Sequence, residues 1–345
     1  MSIKQLFSLF LSIIISFFIT TENLICYASD IENAFEETEK KDDPNYLGLV
    51  TLNSFFPGTG QIIRGDTSEG INYLVSTTLL SVTGQVLLFY YFADLKIDLE
   101  KMGGTNTDGK TYLSPFIKVS KEKEWMFYSG LALSLYSQLI GTYSTYSLHR
   151  DIKDEDGTGL KKGKDDLVDL IKAPFQAENV FNFDVFPFYP MSVFFGTSMD
   201  EFKNVPKFFQ RDKVDFMGMQ FNPFVGLILV LVTNMIIVLA NATWEEIFFR
   251  GISLESSGLF NSSLFFGSAH LANMISPNAS VEDTLAQTAF ATLFGFYAGH
   301  KTQANNYDFR KMIALHFWHN VTASTLGYMA NPDKTTFSIG FNAKF

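Results

Sequence analysis

Between Phe224 and Ala242 the chain carries no charged residue, and only Thr243 and Trp244 separate this run from two adjacent carboxylates, Glu245 and Glu246. About 20 predominantly apolar residues, rising ~1.5 Å each as a helix, match the ~30 Å hydrocarbon thickness of a bilayer. The run therefore reads as a membrane helix. Upstream, Ile71 to Ala93 has the length to span, and so does Trp125 to Tyr146, whose Ser, Thr, Gly and Gln suit packing against other helices. Downstream, Leu259 to Ala272, Thr284 to His300 and Arg310 to Tyr328 read as three further helical segments. The expected fold class is all-α: a multi-pass helical membrane protein with an N-terminal signal sequence.

Composition supports segregation into apolar runs and charged loops. Of 345 residues, 47% are hydrophobic and 18% charged, and 37 are Phe, which suits lipid-facing surfaces. With 26 basic and 36 acidic residues the net charge is −10, so nothing points to nucleic acid as a partner. A single cysteine, Cys26, excludes an internal disulfide framework and a multi-cysteine metal cluster.

The expected organisation begins with a secretory signal over 1–29: Lys4, an apolar stretch from Leu6 to Thr20, and a small-residue cleavage site after Ala28. An uncleaved signal anchor is the rival reading. An acidic, solvated linker follows over 30–46. Residues 47–148 form an N-terminal membrane module, in which Pro57-Gly58-Thr59-Gly60-Gln61 and Gly65 give a PGxGQxxxG hairpin read as a structural turn. A polar connection with an aromatic, interfacial segment from Phe181 to Phe195 occupies 149–215. The segment 216–330 carries the chemistry, and 331–345 is a tail whose alternating Phe337, Ile339, Phe341, Ala343 and Phe345 resemble a barrel strand.

Glu245 and Glu246 sit at the end of an apolar run, where a charge near the bilayer centre costs ~3 kcal/mol. Such a cost is tolerated when the groups pair or work. Glu246 and Arg250 are four apart, so they share a helix face and can neutralise each other. Glu245 then points roughly 100° away, towards another helix. The competing reading is a helix that has simply left the membrane, with both carboxylates among the headgroups. Phe266 and His270 repeat the four-residue spacing, as do His316 and Asn320. One histidine in a membrane helix is usually a packed core residue; two such helices beside a Glu pair make that explanation less comfortable.

EExxxR, FxxxH and HxxxN, in this order on successive apolar helices, resemble the CPBP family of CAAX prenyl proteases and bacteriocin-processing or immunity proteins. The resemblance covers about Phe221 to Tyr328. It implies an intramembrane endopeptidase in which Glu245 activates a water and His270 positions it. His316 and Asn320 would hold the oxyanion, with Glu246, Arg250 and Phe266 in support. No cofactor is required on this reading; a divalent metal such as zinc, if bound, would use Glu245, His270 and His316. The implied partners are a peptide or protein substrate, lipidated or not, and the lipid bilayer, in the bacterial inner (plasma) membrane. The alternative is a non-catalytic protein of the same fold, used for partner binding or bacteriocin immunity; a third reading is a transporter-like or lipid-binding protein.

Overall fold

The computed structural model describes residues 46–93, 96–98, 116–118, 121–155, 157, 165–189, 202–275 and 280–332. The expected signal, the acidic linker up to residue 45, the second half of the aromatic segment and the alternating tail lie outside the described residues. What is described is mostly helical. The helices are α1 (Tyr46–Phe55), α2 (Thr59–Arg64), α3 (Thr67–Phe92), α4 (Glu124–Glu155), α5 (Leu167–Lys172), α6 (Ala177–Val180), α7 (Pro223–Glu246), α8 (Leu254–Ala269), α9 (Val281–Ala304) and α10 (Arg310–Ala330). Two small antiparallel ladders complete the set, β1 (Lys96–Asp98) with β2 (Phe116–Lys118) and β3 (Val214–Phe216) with β4 (Met219–Phe221).

Local sequence explains where the long elements begin and cross. Met217 and Gly218 turn the β3–β4 hairpin with positive φ of 52° and 77°. One residue after β4, the Asn222 side chain accepts the backbone N–H of Val225 at 2.9 Å, and Pro223 opens α7 where its missing N–H costs nothing. Helices α3 and α4 run side by side and touch at Gly84 and Gly130. A Cβ on Gly84 would lie 2.7 Å from the Gly130 carbonyl oxygen, so only glycine permits this approach.

The PGxGQ hairpin joins α1 to α2 and is tied to α4. Asn53 accepts from the backbone N–H groups of Gly58 and Gly60 at 2.9 and 3.0 Å, and donates to Ser144. Gln61 donates to the Ser144 carbonyl at 2.8 Å. These bonds hold the turn, in keeping with its structural reading.

Helix α4 departs from expectation in length. It runs through Glu155 rather than stopping near Tyr146, so the stretch read as the start of a polar connection is helical, and His149 and Arg150 are buried. From Thr142 to Arg150 all sides of the helix are covered. The reason lies in partners remote in sequence: α1, α7 and the segment after α7 pack on it, and Gly60 and Gln61 of α2 lie against Leu148 and Ser144. One hydrophobic core consequently includes Val50, Leu139 and Leu148 together with Ile237, Ile247 and Leu315. The stretches 47–148 and 216–330 thus share a single interior.

Outward faces are apolar. On α3, Ile71, Val75, Leu79, Val82, Val86 and Tyr90 recur at helical spacing and are all exposed, and Phe224, Ile228, Val232 and Ile236 do the same on α7. Among the described residues, α3 and the helical run Pro223–Met274, which is broken at Gly258, are long and apolar enough to cross a membrane.

Candidate functional site

The site is assembled where α7 ends. Ile247–Ser253 continues α7 as a π-helix, a conformation that widens the turn and recurs at functional positions. In its register the Leu254 N–H bonds the Phe249 carbonyl, five residues back, and Ser262 donates to the same carbonyl at 2.9 Å. The chain then breaks at Gly258 (φ 78°, ψ 174°), which lets the second part of α8 fold back along the π segment.

Within this frame Glu246 is wholly buried, with one oxygen 3.1 Å from Arg250 Nε and the other 2.9 Å from His316 Nδ1. Arg250 is equally buried; its terminal nitrogens have no hydrogen-bond acceptor and its guanidinium carbon lies 4.4 Å from the centre of the Phe266 ring. Cation–π attraction in a dry site offsets part of that desolvation. Glu245 accepts from Asn241 Nδ2 at 2.8 Å, and its second oxygen, which has no hydrogen-bond partner, faces His316 Nε2 at 3.6 Å. The two carboxylates thus diverge, and the ring of His316 lies between them.

His270 closes the far side. Its Nδ1 is 2.8 Å from the Phe266 carbonyl, which can only accept, so Nδ1 carries a proton and Nε2 is the remaining ring nitrogen. Phe266 is the centre of the arrangement: its ring meets His270 at 5.0 Å, His316 at 6.0 Å and Phe294 at 5.9 Å between centroids. Asn320 follows His316 by one turn of α10, buried, with its Oδ1 unpartnered. His319, between them, stacks on Phe290.

The structure therefore gathers Glu245, Glu246, Arg250, Phe266, His270 and His316 into one cluster, with Asn320 on the adjoining turn. Sequence reasoning missed Asn241, although its position four residues before Glu245 was a usable signal. It also missed Phe294, which packs on His316 at 5.6 Å and on Arg250 at 5.8 Å; nothing in its neighbourhood sets it apart from many other phenylalanines. A second polar cluster was missed as well. His149 bonds Tyr46 through Nδ1 and faces Glu255 through Nε2 at 3.3 Å, and Arg150 reaches the same carboxylate at 3.1 Å.

As a metal site the residues fit poorly. Among the described residues no three His, Cys, Asp or Glu side chains converge as a ligand set. Glu246 and the Phe266 carbonyl engage one nitrogen each of His316 and His270. What the cluster offers is a buried carboxylate with an unpartnered oxygen, facing imidazole, in apolar walls. No family model, curated protein or solved structure matches the chain.

Proposed function

We propose that this protein is a multi-pass intramembrane endopeptidase of the CAAX-protease type, with Glu245 as the base that activates water. The observation that carries the reading is the buried Glu245 oxygen that has no hydrogen bond and faces His316 Nε2 across 3.6 Å. Glu245 takes a proton from water as its oxygen attacks the substrate carbonyl carbon, and His270, through Nε2, accepts a hydrogen bond that orients this water. His316 and Asn320 face the oxyanion that forms. Collapse breaks the C–N bond, and the proton on Glu245 passes to the leaving amine, giving a carboxylic acid and an amine.

Glu246 fixes the His316 ring through Nδ1, which leaves Nε2 turned toward Glu245 and the reacting atoms. Phe266, Phe294 and Phe249 wall this site. Water for the reaction reaches the cluster from the His270 side, where that residue is only partly buried. No step requires a metal.

One observation favours a second reading, a non-catalytic protein that binds a partner or confers immunity. Glu246 pairs with both Arg250 and His316, which a purely structural ion cluster would also do. Cleavage assays separate the two. Purified protein in liposomes is offered peptide libraries, with and without a prenyl group, and compared with Glu245→Gln and Asn320→Ala. A base is worth about 10²–10⁴-fold and an oxyanion donor about 10²–10³-fold, so both variants should fall by those factors while remaining folded. Cleavage retained in Glu245→Gln removes the assignment; binding of a peptide without cleavage in all three proteins favours the second reading.

A further inference from the structure

The segment 177–189 crosses the outer end of α9, and three of its phenylalanines face away from the protein: Phe181, Phe183 and Phe186 are 77%, 96% and 59% exposed. Between them the polar side chains turn inward. Asp184 meets Lys301 at 2.8 Å and Lys311 at 3.5 Å, and its carbonyl accepts from the Tyr297 hydroxyl. Phe188 packs on Tyr297 at 4.3 Å between centroids. Three bulky rings held outward by a docked backbone need an occupant.

The helix beneath identifies it. Along a ridge that winds gradually round α9, at four-residue spacing, stand Leu285, Ala289, Leu293, Tyr297 and Lys301. Leu285 and Leu293 are exposed, Tyr297 is half-buried and Lys301 is a charged end. That row passes from hydrocarbon-type residues through an aromatic hydroxyl to a cation, the order in which a helix leaves a bilayer. The strap is fastened at the level of Tyr297 and Lys301, where apolar gives way to charged.

We infer that residues 177–189 form an interfacial strap that seats Phe181, Phe183 and Phe186 in the headgroup–acyl boundary of the bilayer, on the side of the molecule nearest the catalytic cluster. The inference rests on the membrane reading proposed above for the protein. It also fixes depth. Phe294 is about 10 Å below Lys301, and His316 about 7–9 Å beyond Lys311 and Arg310, at ~1.5 Å per residue. Two helices running from the same boundary agree, so the site lies about two turns beneath the interface. A peptide bond that reaches it belongs to a juxtamembrane segment rather than to the middle of a transmembrane helix.

Depth can be measured without any substrate. In a background where Cys26, the sole cysteine, is replaced by serine, a nitroxide is attached at Phe183→Cys, at Phe181→Cys, or at Leu293→Cys. Relaxation by oxygen and by a water-soluble nickel chelate is read in phosphatidylcholine vesicles. The expected result is a depth for 181 and 183 near the headgroups, with 293 deeper and oxygen-rich. Labels at 181 and 183 as open to nickel as a soluble protein overturn the strap, and so do labels as deep as 293. Protection from both reagents overturns it in favour of a protein partner or a second copy. Nickel access at 293 itself removes the membrane reading and the strap together, whereas 293 deep with 183 in water removes the strap alone.

Discussion

The fate of single residues in the cluster follows from what each would leave behind. Arg250 is the fixed positive charge paired with Glu246, which has no exposure to water. Arg250→Met should therefore destabilise the protein by about 3–5 kcal/mol, the usual cost of leaving a buried charge unpaired. Pairing it with Glu246→Gln should recover a good part of that loss, because the pair is then removed rather than broken. Thermal unfolding in detergent of the two singles and the double checks both statements; additive losses would contradict them. Asn241 has a subtler place. It holds one oxygen of Glu245 while Trp244 Nε1 holds Asn241 at 3.3 Å. Asn241→Ala should lower kcat about tenfold with KM little changed, as expected for a lost hydrogen bond to a charged group. Asn241→Asp, isosteric but without the donor, should fall at least as far; activity kept in Asn241→Asp would point instead to disturbed packing in the alanine variant.

At the scale of elements, helix pairs are set by small residues. Gly267 faces α9 so closely that a Cβ would fall 1.8 Å from Thr292 Oγ1 and 2.9 Å from its Cα. Gly267→Ala should force α8 and α9 apart and cost about 1–3 kcal/mol. Thr292→Ala should restore only part, since the added methyl would still meet the backbone of residue 292; full rescue would mean that the hydroxyl alone was the obstacle. The strap has its own pH dependence. Lys301 and Lys311 hold the Asp184 carboxyl below the ordinary aspartate range. A depressed value stabilises docking above the unfolded aspartate pKa, and that stability is lost as pH falls through the lower, folded one. Protection of the 177–189 amides from hydrogen exchange, relative to their intrinsic rates, should thus be high at neutral pH and fall only in strong acid, while Asp184→Asn should lower it at neutral pH. The helices themselves were legible in the sequence, because long uncharged runs leave few alternatives, and so was the Glu246–Arg250 pair, which is local. The end of α4 was not. His149 and Arg150 look like loop residues until Tyr46 and Glu255, 103 and 105 or more positions away, are brought beside them.

For the molecule as a whole, the shared core decides separability. Tyr146 packs edge-on to Phe309 at 6.0 Å between centroids, and its ring lies against Gly251. A fragment beginning near residue 216 would bare that surface and leave Glu255 without His149 and Arg150. It should fail to give a cooperative unfolding transition, whereas the full chain should show one; a stably folded fragment would show that the halves are independent. The cluster also has an order in time. Glu246 and the histidine that completes its surroundings are 70 residues apart, and α10 is the last of the described helices to leave the ribosome. Until then the carboxylates have only Arg250, a near neighbour already made, to neutralise them. On the proposed reading, a nascent chain would therefore carry no armed site beside other unfinished proteins until the final helix delivers His316.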